Sequence, residues 1–140
     1  MIRKIFLGVL IFLAGICGVA IASDQAKEQA AVTVAQNWLQ LVDNGDNAQS
    51  WSGAASYFKA AVAQSQWEQT LKAVRIPLGK ALRRQVKSTQ YMTSMPGAPD
   101  GEYVVIQFDT SFEDKKTAVE TVTSMMDKDG RWRVAGYYIK

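Results

Sequence analysis

Two charged residues of opposite sign, Arg84 and Glu120, each interrupt an alternating apolar pattern in the second half of the chain. Their apolar neighbours two positions away are Leu82, Val86, Ala118 and Val122. Residues two apart share one face of a β-strand, so each charge should lie on the side of its apolar neighbours. Burying either charge alone would be costly. We therefore expect Arg84 and Glu120 to pair in the interior.

A buried carboxylate can act as the base of an enolising site when a neutral acid or a tyrosine faces it. Glu120 and Tyr138 fit those roles, so a small isomerase or hydrolase is one interpretation. However, an arginine beside Glu120 would lower the pKa of its carboxyl group and weaken it as a base. Arg75, at the end of a predicted helix, competes with Arg84 for this carboxylate. We favour a non-catalytic role for the pair.

Two non-catalytic roles are open to this pair. It can fix the register of the strands, or it can form the polar end of an apolar pocket with Trp132 and Tyr138 as walls. Pockets of that kind hold small ligands. Alternation places Trp132 and Tyr138 on one face of the last strand. We expect that face to pack against the helices, because Arg133 on the opposite face then remains exposed to water.

The chain lacks the residues of most catalytic and cofactor sites. It has no histidine, and its single cysteine, Cys17, lies in an apolar N-terminal segment. This argues against most nucleophile–base triads and against the usual zinc, copper and haem ligands. Residues 43–47 resemble a calcium loop, but Ala54 stands where the bidentate glutamate belongs. No metal and no other cofactor is expected.

A basic run without an acidic residue extends from Lys72 to Lys87. It indicates either a solvated surface or a site for an anionic partner. Nucleic-acid sites interleave aromatic residues that stack on bases, and this run contains none. A nucleic-acid partner is therefore not expected.

The first 22 residues have the pattern of a secretory signal peptide. Arg3 and Lys4 precede an uncharged apolar run, and small residues follow up to Ala22. We expect cleavage after Ala22 and a periplasmic or secreted bacterial domain of residues 23–140, which meets the membrane only through the signal. An uncleaved anchor is the alternative. Loss of Arg3 and Lys4 from the 16 basic residues leaves 14 against 13 acidic ones, a net charge of +1.

The remaining sequence predicts an α+β domain in which three N-terminal helices pack on a four-stranded antiparallel curved sheet. A capping box of Ser65 and Glu68 is expected to begin the third helix. Helical apolar spacing covers Gln25–Val42, Ala48–Ala61 and Gln66–Val74. Strand patterns cover Lys80–Met92, Glu102–Phe112, Lys116–Met126 and Trp132–Ile139.

This order of elements resembles the cone-shaped nuclear-transport-factor-2-like fold, also called the cystatin-like cone. Three segments are also similar to a family of bacterial exported proteins, domain of unknown function 4019. They are WEQTLKAVRIPLG (Trp67–Gly79), PDGEYVVIQFDTSF (Pro99–Phe112) and DGRWRVAGYYI (Asp129–Ile139). The resemblance implies a fold and a compartment but no activity.

The leading hypothesis is an exported, non-catalytic module that binds a small apolar or amphipathic ligand or a protein partner. One alternative is the isomerase or hydrolase with Glu120 as base, which requires an open cavity at that residue. Another is a structural homodimer paired through the outer face of the sheet. Its contact candidates are Tyr103, Gln107, Tyr137 and Ile139. If side chains fill the interior of the cone, the hypothesis of an interior ligand is excluded and the hypothesis of a protein partner remains.

Overall fold

Four helices precede a four-stranded sheet in the computed structural model, which describes residues 16–140, with side chains from residue 23. The predicted signal peptide lies outside the described residues, apart from the helical backbone of residues 16–22. The helices are α1 (Ile16–Asp43), α2 (Asn47–Ser52), α3 (Ser56–Ala61) and α4 (Gln64–Arg75), and a 3-10 turn follows (Ile76–Leu78). The strands are β1 (Ala81–Met92), β2 (Tyr103–Phe112), β3 (Lys115–Met126) and β4 (Trp132–Ile139).

The α+β class is confirmed, but the predicted second helix is in fact two helices. α2 ends where the Gly53 N–H bonds the Gln49 carbonyl. The chain then extends, and the Ala55 N–H donates to the Val134 carbonyl of β4 at 2.8 Å. This bond draws Ala54 and Ala55 into the interior, where both are buried. Residues 16–140 therefore contain four helices in place of the predicted three.

The predicted capping box is wrong. α4 begins one residue before Ser65, with Ala63 as its N-cap in an extended conformation and no side-chain cap bond. Ser65 and Glu68 therefore lie within the helix. At the other end, Pro77 sits in the 3-10 turn that continues α4. Gly79 then takes a φ of 73°, and a Cβ there would come within 2.9 Å of the Glu113 side chain.

The sheet is an antiparallel meander with strand order β1-β2-β3-β4. All four strands begin within one residue of the predicted position. The alternation of Val104, Ile106 and Phe108 is confirmed, because all three are fully buried in the core against α1. Gly130 takes a φ of 79° in the turn before β4, as a tight hairpin requires. In the described part of the chain, no helix is long and apolar enough to cross a membrane.

Register shifts correct two predicted faces. On β1, Arg83 pairs with Ser111 and Ala81 with Phe112, so Leu82 falls at a bulge and is 58% exposed. The expectation that it shares an interior face with Arg84 is wrong. β1 is also an edge strand, where bulges and basic residues hinder pairing with other chains.

A bulge in β4 reverses the predicted faces of its two tyrosines. Val134 pairs with Ser124 and Gly136 with Thr123, which leaves Ala135 as the extra residue. Such a bulge shifts the alternation by one residue. Tyr137 therefore faces the helices, with its ring centroid 5.3 Å from that of Trp38. Tyr138 is 51% exposed, so its predicted place beside Trp132 on the helix-facing side is wrong.

Candidate functional site

Arg84 of β1 links β3 to the end of α1 through two pairs of hydrogen bonds. Toward β3, its Nε and Nη2 donate to Glu120 Oε1 and Oε2 at 2.7 and 3.3 Å. Toward the end of α1, its Nη1 and Nη2 donate to Asp43 Oδ2 and Oδ1 at 2.7 and 3.0 Å. The expected pairing of Arg84 with Glu120 is present. The third group, Asp43, was not predicted.

Glu120 is fully buried and well supplied with donors. Besides Arg84, it accepts hydrogen bonds from the Thr110 hydroxyl at 2.6 Å and from the Tyr137 hydroxyl. Thr110 is two residues after Phe108 and continues its face, so the sequence carried a signal for it. Tyr137 reaches Glu120 only because of the bulge in β4. Both carboxylate oxygens of Glu120 are therefore engaged within the chain.

Arg75 bonds Asp43 rather than competing for Glu120, so that prediction is wrong. Its Nη2 donates to Asp43 Oδ1 at 2.8 Å, and its guanidinium carbon lies 4.9 Å from the Phe112 ring centroid. The reason is its position at the C-terminus of α4, beside the C-terminus of α1. Its Nε and Nη1 are buried and have no hydrogen-bond partner among the described residues.

The pKa shifts of Asp43, Arg84 and Tyr137 each favour the protonation state that their hydrogen bonds require. Burial tends to raise the pKa of Asp43, but hydrogen bonds from Arg84 and Arg75 outweigh it and hold the pKa below its ordinary 3.8. Burial tends to lower the pKa of Arg84, and its bonds to Asp43 and Glu120 raise it instead. Burial and the negative charge of Glu120 both raise the pKa of Tyr137, so its hydroxyl remains a donor at neutral pH.

The predicted pocket between Trp132, Tyr138 and Glu120 does not form, because Tyr138 is half-exposed on the other face of β4. The neighbouring space beside Tyr137, between the helices and β4, has about 0 Å³ available to a water molecule. Trp132 is partly buried and packs against the core, whereas Tyr138 points away from it. The structure thus brings together Arg84 and Glu120 but neither predicted wall of the pocket. Within residues 23–140, no group of three or more acidic, histidine or cysteine residues could hold a metal.

Two of the predicted homodimer contacts are also turned inward. Tyr103 is 1% exposed and packs against Ala55 and Met125. Tyr137 belongs to the network described above. Gln107 and Ile139 remain partly exposed.

An open cleft of about 460 Å³ lies where the network reaches the surface. Asp43 and Arg75 form part of its wall, together with apolar side chains from α1, α4 and the 3-10 turn. The basic run divides here: Arg75 and Arg84 turn inward to Asp43, while Lys72 and Lys80 line the cleft. The residues of the cleft used below are Val42, Asp43, Leu71, Lys72, Arg75, Ile76, Lys80 and Glu113.

These features define an α+β domain with a buried ion-pair network that ends at an open cleft. Residues 34–137 match the family described as Protein of unknown function (DUF4019), and the chain belongs to that family. No curated protein and no solved structure matches the chain.

Proposed function

We propose that this protein is a non-catalytic binding module that holds a small amphipathic ligand in the cleft beside Asp43 and Arg75. The observation that carries the proposal is the composition of the cleft. Its volume, about 460 Å³, falls within the usual range for small-molecule sites. Ile76, which is largely exposed, offers apolar surface above the buried Val42 and Leu71, and charged groups stand at the same opening.

A binding role accounts for this geometry better than catalysis does. Glu120, the strongest candidate for a base, is fully buried and bonded to three donors. A general base must lie within hydrogen-bond reach of the proton that it removes. A substrate could approach Glu120 only by displacing the side chains that cover it. The open space lies at the outer end of the network instead, next to Asp43 and Arg75.

We also infer that the fold is of the nuclear-transport-factor-2-like type and that the protein is exported by bacteria. The order of elements supports the fold, and the basic, apolar and small-residue pattern up to Ala22 supports export. Intact-mass measurement of the protein recovered from its own cells tests export. A chain that begins at Ser23 is expected, and a full-length chain retained in membranes would contradict it.

Native mass spectrometry tests the binding role. We expect the protein isolated from its own cells to carry an adduct of a few hundred daltons. Lys72→Trp places an indole at the cleft and should abolish the adduct. Lys128→Trp makes the same charge change on an exposed turn at the other end of β3 and should retain it.

Two results would contradict the proposal. The wild-type protein could lack any adduct, or the Lys72→Trp variant could keep it. Circular dichroism of both variants establishes that they are folded before the spectra are compared.

A further inference from the structure

The geometry points to an amphipathic oxyanion as the ligand of the cleft: a single carboxylate or phosphate group on an apolar body, bound through Arg75. This inference rests on the proposed function and names its ligand class. Three features carry it, namely the unpartnered donors of Arg75, the balance of charge at the cleft, and the sharing of Asp43 between two arginines.

The Arg75 side chain is only 10% exposed, yet two of its three guanidinium-group nitrogens lack an acceptor. Nη2 bonds Asp43, whereas Nε and Nη1 are buried without a partner in the described chain. Buried donors without acceptors are rare in native proteins and are destabilising. The face of Phe112 offers this guanidinium a cation–π contact, but no hydrogen-bond acceptor. An oxyanion would supply that acceptor once the guanidinium turns into the cleft, because both nitrogens are covered in this structure.

The side chains that line the cleft carry a net positive charge. Its cations are Lys72, Arg75 and Lys80, and its carboxylates are Asp43 and Glu113. Asp43 is already held by Arg84, and Glu113 accepts from the Lys80 backbone N–H at 2.9 Å. An incoming anion therefore meets ammonium groups and a guanidinium whose fork matches carboxylate and phosphate.

Arg75 can turn toward a ligand without leaving Asp43 unpaired. Arg84 contacts both Asp43 oxygens at 2.7 and 3.0 Å, so the carboxylate keeps two charge-assisted bonds when Arg75 leaves. The apolar body of the ligand would then lie against Leu71 and Ile76. Ile76 is 74% exposed, and covering it is favourable.

Nuclear magnetic resonance titration of the full mature chain tests the inference. The probes are octanoate, octyl phosphate and the neutral 1-octanol, which share one apolar chain. Octanoate or octyl phosphate should shift the Arg75 Nε–H resonance and bind at least about tenfold more tightly than 1-octanol. The first two probes separate a carboxylate site from a phosphate site, and either result supports the inference.

Matched variants locate the effect. Arg75→Gln should remove the preference for the anion, and Arg83→Gln, which removes an exposed arginine of β1, should retain it. Equal binding of 1-octanol would overturn the inference and leave the cleft as an apolar binding site. If none of the three probes shifted resonances of cleft residues, the inference of an oxyanion ligand would also be overturned. The proposed binding role is tested separately, by native mass spectrometry. The wild-type comparison stands even if Arg75→Gln fails to fold.

Discussion

Arg84 on β1 reaches across β2 to bond Glu120 on β3, with Nε and Oε1 2.7 Å apart. The strand between them contributes Thr110, whose hydroxyl donates to the same oxygen at 2.6 Å. Together with Tyr137 of β4, one buried carboxylate therefore ties all four strands. The pair also has a surface end, because Arg84 continues to Asp43 and to the cleft. Its structural role lies at Glu120, and the proposed ligand site lies at the opposite end.

Replacement of Glu120 by alanine should destabilise the fold by about 3 kcal/mol or more, because breaking a buried pair leaves its partners uncompensated. Arg84 retains Asp43, but the Thr110 and Tyr137 hydroxyls lose their acceptor. Urea unfolding measures the change. The control is Asp109→Ala, which removes a half-exposed carboxylate 4.0 Å from Lys87 and should cost less than about 1 kcal/mol. Equal effects of the two changes would mean that Glu120 is not buried.

The bulge at Ala135 predicts that the two adjacent tyrosines differ sharply. Tyr137→Phe removes a hydrogen bond to a buried carboxylate and should cost about 1.5 kcal/mol. Tyr138→Phe alters a half-exposed side chain and should change stability by less than about 0.5 kcal/mol. Thermal or urea unfolding of both variants checks this. If Tyr138→Phe were the more destabilising change, β4 would have no bulge at Ala135 and its side chains would alternate without interruption.

Strand positions could be predicted from the sequence, whereas strand faces could be predicted only in part. Alternation along β2 and the turn at Gly130 are local signals, and they fixed the strand bounds to within a residue. The bulge at Ala135 has no comparable signal in the sequence, because one extra residue changes the pairing register of the strand without changing its amino-acid composition. Tyr138 was therefore placed where Tyr137 lies.

The helix count and half of the site depend on contacts between distant segments. The break at Ala54 and Ala55 follows from a backbone bond to Val134, which no helical periodicity encodes. In the sequence Asp43 stood out only as the start of a segment resembling a calcium loop, and its pairing depends on where the end of α1 meets β1 and α4. The Arg84–Glu120 pair was predictable from Glu120, because a charge between the buried Ala118 and Val122 needs a partner. The apolar neighbours of Arg84, Leu82 and Val86, are exposed and carried no such signal.

Ser50 should contribute to stability through the tryptophans of the helical layer. It is fully buried, and its hydroxyl accepts from Trp67 Nε1 at 2.9 Å and donates to the Asn47 carbonyl at 2.7 Å. Ser50→Ala leaves the Trp67 N–H unsatisfied and should cost about 1–3 kcal/mol. Ser52→Ala is the matched control in the same helix. Its hydroxyl makes the same kind of bond but is exposed, so a change below about 0.5 kcal/mol is expected. Equal losses would contradict the buried position of Ser50.

Acid should weaken the fold through Asp43. Its folded-state pKa lies below the ordinary 3.8, so its contribution is complete above that value and is lost as pH falls through the folded-state pKa. Urea midpoints should be nearly constant from about pH 7 to pH 5 and should fall steadily below about pH 4. Asp43→Asn should be less stable at neutral pH and should show a shallower fall. If the stability of this variant fell as steeply with pH as that of the wild type, the loss of stability in acid would be due to other carboxylates.

The most direct test of the binding role is a crystal structure of the protein isolated from its own cells with any adduct retained. We predict ligand density in the cleft, in contact with Leu71, Ile76 and Arg75, with the Arg84–Glu120 pair undisturbed. Density that instead lies between Trp132 and Glu120, or only on the outer face of the sheet, would contradict this account.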